Sequence, residues 1–108
     1  MYITRGTTPT IEISTDASLV DCEQIYVTLK QGKAYNTAKP VLERTKETFE
    51  TLTADGLTFK LTQEETLALK ETEGVTFWQI RAKYPNGDAV ACDIGSVKIA
   101  PILKEGVI

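Results

Sequence analysis

Apolar residues along this chain alternate with polar ones far more often than they recur at helical spacing, which predicts a succession of short, half-buried strands. The first covers residues 10–14, where Ile11 and Ile13 share a face behind the turn-prone Gly6-Thr7-Thr8-Pro9. Over 24–31, Ile25, Val27 and Leu29 point one way and Tyr26, Thr28 and Lys30 the other, the cleanest alternation in the chain. Pro40 opens a weaker strand running through Leu42 and Arg44. Proline has no N–H to give to a ladder, so this strand is expected at a sheet edge. Runs at 48–53 and 57–61 flank Ala54-Asp55-Gly56, where Asp-Gly predicts a hairpin turn with positive φ. Residues 75–84 place Trp78, Ile80, Ala82 and Tyr84 on one face, and Asn86-Gly87 predicts a second hairpin. On the return strand Val90, Cys92 and Ile94 hold one parity and Val97 and Ile99 the other, so a β-bulge near Gly95 is expected to restore the facing.

One segment reads differently. Thr62-Gln63-Glu64-Glu65 is a capping box, in which Thr62 accepts from the backbone of Glu65 while the Glu65 side chain reaches back to Thr62. It predicts a short helix over about 62–70, closed before Gly74. About seven strands with this helix ahead of the penultimate one predict an all-β fold. The expected architecture is an immunoglobulin-like antiparallel β-sandwich forming a single domain over 1–108. The Cys, Trp, Cys arrangement of antibody domains is absent.

Composition narrows the function. With 108 residues the chain can bury one core, and its net charge of −3 supplies no broad positive field for a phosphate backbone, so no nucleic-acid partner is expected. No apolar run approaches the roughly 20 residues of a membrane span. The segment from Met1 to Gly6 lacks the basic-then-apolar pattern of a signal peptide, so a cytoplasmic location is expected. Cys22 and Cys92 show no CxxC spacing and read as reduced structural thiols, with a disulfide between them left open.

The chain has no histidine, which removes the commonest general base and the commonest metal ligand. A non-enzymatic protein without cofactors is expected. Paired-carboxylate hydrolysis would require a loop cleft holding two acids, and Asp16, Asp21 and Asp88 lack the spacing of a calcium loop. Glu64 and Glu65 are accounted for by the helix start. Tyr26 and Tyr35 are the aromatics expected to be exposed and able to stack on a sugar, whereas Trp78 and Tyr84 share parity with Ile80 and are expected in the core. Candidate partner contacts are Pro40, Leu42 and Arg44 on the edge strand, and Ile102, Leu103, Val107 and Ile108 on an apolar tail. That tail either packs on its own sandwich or adds to a partner's sheet.

Several strings carry a family resemblance. Arg5-Gly6-Thr7-Thr8-Pro9-Thr10, Val27-Thr28 with Gln31-Gly32, and Leu61-Thr62-Gln63-Glu64-Glu65-Thr66-Leu67 resemble a family of small uncharacterised prophage proteins, as do Gln79-Ile80-Arg81 and Gly106-Val107-Ile108. In length and strand pattern such proteins are similar to the N-terminal immunoglobulin-like domain of phage baseplate upper proteins. The resemblance implies a structural or adaptor role among phage tail or baseplate proteins, with assembly in the host cytoplasm and residence in the virion. A virion role implies symmetric assembly, since virion components repeat, and a monomer is equally compatible with the charge and composition. It transfers no catalytic or receptor-binding residue. The alternative is a small carbohydrate- or cell-surface-binding module.

Overall fold

Strand formation follows the alternation closely. In the computed structural model, which describes residues 2–108, the strands are β1 (Tyr2–Thr4), β2 (Thr10–Ser14), β3 (Gln24–Gly32), β4 (Lys39–Thr45), β5 (Thr51–Thr53), β6 (Gly56–Lys60), β7 (Val75–Lys83), β8 (Ala89–Ala91) and β9 (Gly95–Ala100). A helix, α1 (Gln63–Ala68), lies between β6 and β7, and single 3₁₀ turns cover Lys46–Thr48 and Glu71–Glu73. One sheet has the order β1-β9-β7-β3-β4 with β8 also paired to β7, and the other has the order β2-β6-β5. Every pairing is antiparallel except that of β1 with β9.

This order is that of an immunoglobulin-like sandwich. β2, β6 and β5 stand as strands B, E and D of one sheet, while β3, β7 and β9 stand as C, F and G of the other, extended by β4 in the C′ position. The all-β expectation therefore holds, with β8 and β9 forming one interrupted strand. β4 lies at an edge, as Pro40 predicted.

The core is the sum of the inward parities. Ile25, Val27 and Leu29 of β3 and Ile80, Ala82 and Val97 of the same sheet pack with Ile11, Ile13, Leu57, Phe59 and Leu61 from the other layer. Ile11 pairs with Phe59 and Ile13 with Leu57 across the β2–β6 ladder. Gln31 continues the inward parity of β3, and its polar end is satisfied: its amide nitrogen donates to Thr76 Oγ1 at 2.9 Å and to the Lys70 carbonyl at 3.1 Å.

The bulge falls where the parity change requires it. Arg81 pairs with Ala91 and Trp78 with Gly95, so three steps along β7 are matched by four along the return strand. At the Asn86-Gly87 turn, Gly87 has φ 96° and Tyr84 N donates to Asp88 O at 2.8 Å.

Two local expectations are corrected. The Ala54-Asp55-Gly56 hairpin forms, but Gly56 has no positive φ, and no other residue type adopts one among the described residues. The two-residue loop is Ala54-Asp55, because Thr53 pairs with Gly56. The strand expected over 48–53 shortens to Thr51–Thr53, because Thr48 Oγ1 accepts from Thr45 N at 3.0 Å and donates to Thr45 O at 2.7 Å, holding a tight turn instead.

Candidate functional site

α1 organises the contacts around the residues singled out on the edge strand and the tail. Its capping box is complete: Glu65 N donates to Thr62 Oγ1 at 3.2 Å and Thr62 N to Glu65 Oε1 at 2.8 Å. The same carboxylate receives Arg44 from β4, whose guanidinium also donates to the Lys60 carbonyl at 3.1 Å. Arg44 thus ties the edge of one sheet to the far end of the other. Its inward parity with Leu42, which packs on the core, carried that signal in the sequence.

Pro40 remains exposed at the edge, so of the three β4 candidates it is the one left free for a partner. Close to this strand Lys46 is also engaged, since its Nζ donates to the Cys22 carbonyl at 2.7 Å.

Burial acts to raise the pKa of Glu65, but the Arg44 hydrogen bond, the Thr62 amide and the Arg44 charge outweigh it and hold the carboxyl below its ordinary 4.5. A lowered folded-state pKa contributes stability that is present above 4.5 and is lost as the pH falls through the folded value. Glu65→Gln keeps the capping geometry and removes the charge. It is expected to cost about 1 kcal/mol at neutral pH and to flatten the acid limb of a urea-midpoint profile below that value. A profile unchanged in shape would show that the pair contributes nothing to acid sensitivity.

The tail, 102–108, packs on its own domain. Arg5, nearly buried, donates to Glu105 Oε1 at 2.8 Å and to the Leu67 carbonyl at the end of α1 at 2.9 Å. Ile108 N donates to Gln63 Oε1 at 2.9 Å, and Thr66 Oγ1 fastens α1 to the Thr7 carbonyl. Ile102 is half-buried near Gly6 and Leu67, whereas Leu103, Val107 and Ile108 point into solvent, Ile108 with 88% of its surface exposed.

On the outer face of the larger sheet, Tyr35, Phe77 and Ile94 line a shallow depression of about 300 Å³ with Thr28, Lys30 and Gln79. Tyr26 is exposed and Trp78 and Tyr84 pack against the core, as their parities required, and Tyr35 is exposed in the turn after β3. Tyr84 also donates its hydroxyl to the Ser18 carbonyl at 2.8 Å. Cys22 is buried, Cys92 is exposed, and both are free thiols.

Among the described residues no helix is long and apolar enough to cross a membrane. The class defined by the fold is the immunoglobulin-like β-sandwich. No protein-family model and no curated protein matches the sequence. Among solved structures, the chain is similar to the extracellular domain of the voltage-gated sodium channel beta4 subunit, described as a parallel homodimer that explains a role in cell–cell adhesion. That match has a TM-score of 0.46 and 8% identity, covering 95% of this chain and 91% of that one, which is too slight to bear on function.

Proposed function

We propose that this chain is a non-enzymatic docking module and, on its sequence resemblance, a structural or adaptor component of a phage tail or baseplate. The observation that carries docking is a tail fixed at Arg5 and Gln63 that still presents Leu103, Val107 and Ile108 to solvent. Ordering an apolar segment costs chain entropy, and a tail already held in place has borne part of that cost before a partner arrives. Assembly would take place in the host cytoplasm, with the mature protein in the virion.

Quantitative mass spectrometry of purified tail particles from a host carrying the gene tests the assignment. A fixed copy number per particle is expected, reduced at least severalfold by deletion of 103–108. Absence of the intact chain from the particles would discard the phage assignment.

A second reading, carbohydrate binding, is favoured by the Tyr35 and Phe77 depression, since exposed aromatic faces stack on sugar rings. A glycan array settles that reading by a signal that Tyr35→Ala removes.

A further inference from the structure

The smaller sheet ends on β2, whose outer edge pairs with no other strand among the described residues. Leu61 N donates to Pro9 O and Thr15 N to Asp55 O, so the odd-numbered residues bond to β6. The N–H and C=O groups of Thr10, Glu12 and Ser14 therefore point outward. On β8 the same alternation, set by Tyr84 N to Asp88 O and Cys92 N to Ile80 O, turns those of Ala89 and Ala91 outward.

Between these two open edges runs an apolar groove of about 310 Å³ lined by Ile13, Leu19, Trp78, Ile80 and Val90. Thr15 Oγ1, also in its lining, is enclosed and has no hydrogen-bond partner. In a constant-type sandwich a fourth strand lies beside the counterpart of β2, and here that position is open.

Charge selects the occupant. From Gly6 to Gln24 the chain carries Glu12, Asp16, Asp21 and Glu23 with no lysine or arginine, and from Tyr84 to Val97 it carries Asp88 and Asp93 with none. Only Glu23 of these is ion-paired among the described residues, to Lys83. A second copy adding through β2 would bring two acidic edges together, which like charges oppose.

We propose that this groove accepts an extended segment of a partner protein, apolar at alternate positions and carrying lysine or arginine at those between, which adds as a fourth strand beside β2. Its backbone would take up the free groups of Thr10, Glu12 and Ser14, its apolar side chains would enter against Trp78 and Val90, and its cations would lie beside Glu12 and Asp16. The inference goes beyond the docking reading above, which rests on the tail, by assigning a second contact surface and the chemistry of the segment that fits it.

The test titrates the full ¹⁵N-labelled chain with an eight-residue peptide alternating lysine and valine. Controls are the same residues in two blocks and the glutamate-valine counterpart. Trp78 is the chain's one tryptophan and reports directly from the groove. Expected are a saturable shift of its emission, slowed amide exchange at Thr10, Glu12 and Ser14, and binding about fivefold weaker in Glu12→Lys. That variant should gain affinity for the glutamate-valine peptide.

Equal binding of the block peptide, protection on β4 instead of β2, a dimer of the chain protected at β2, or no saturation at millimolar peptide would each overturn the proposal. Peptide binding by a chain absent from tail particles would keep the groove and discard the tail assignment. A chain present in particles that ignores the peptide would do the reverse.

Discussion

Truncating Phe59 to alanine is expected to remove about 3–5 kcal/mol of stability, a large share of the roughly 5–15 kcal/mol that holds a domain of this size. Phe59 is 1% exposed and the bulkiest of the fully buried side chains. It faces Ile11 across the β2–β6 ladder, and its ring stacks on that of Phe49 with centroids 6.2 Å apart. Phe59 belongs to the core cluster to which both sheets contribute, so the cavity left behind is walled by paired strands and cannot collapse cheaply. Urea unfolding should show the full loss as a lower midpoint at an unchanged slope. Phe49→Ala, at a half-buried position, should cost less, and the double variant should cost less than the sum because the ring pair is counted twice. A loss below about 1.5 kcal/mol for Phe59→Ala would mean that the two layers do not close on this ring.

Much of this packing was legible because a strand's side-chain period is fixed at two. The runs carrying Ile11 and Ile13, then Ile25, Val27 and Leu29, placed β2 and β3 within a residue of their observed bounds. The parity change between Ile94 and Val97 located the bulge for the same reason, since only an extra residue returns Val97 to the core. β1 escaped because it contributes one buried apolar residue, Ile3, and pairs in parallel with a strand at the opposite end of the chain, leaving no turn beside it to betray the pairing.

The candidate contacts divide along a similar line. The tail was readable as an apolar segment needing a home, but the clasp that provides one, Arg5 on Glu105 and on Leu67, spans 100 and 62 positions respectively and leaves no local pattern. Arg44 was read as a candidate partner contact on an edge strand, although its parity with Leu42 already turned it inward, where Glu65 holds it. The β2–β8 groove had no sequence signal of its own. Its walls come from two segments far apart in the chain, one ending at Leu19 and the other beginning at Trp78, and the vacancy beside β2 is a property of strand order, which follows from pairing rather than from any one run.

Gly56 gives the second large expected effect and separates two reasons for a glycine. The Asp55-Gly56 pair suggested a turn needing positive φ, a demand that asparagine also meets. The observed Gly56 has no positive φ. A Cβ built there would lie 2.2 Å from the Ile13 carbonyl oxygen, an atom of the β2 strand paired along the core ladder. Relief would require β2 and β6 to separate at the start of their pairing, so Gly56→Ala is expected to cost about 2–3 kcal/mol or more, and Gly56→Asn at least as much. Gly87 supplies the contrast, with φ 96° and nothing within 4 Å of its would-be Cβ, so Gly87→Asn should cost no more than about 1 kcal/mol. Chemical denaturation of the three variants decides between crowding and turn conformation. If Gly56→Asn matched the parent protein while Gly87→Asn did not, the close approach of the β2 carbonyl could not be the reason for the glycine. If both Gly56 variants fall together, its role is to let two strands of the core meet.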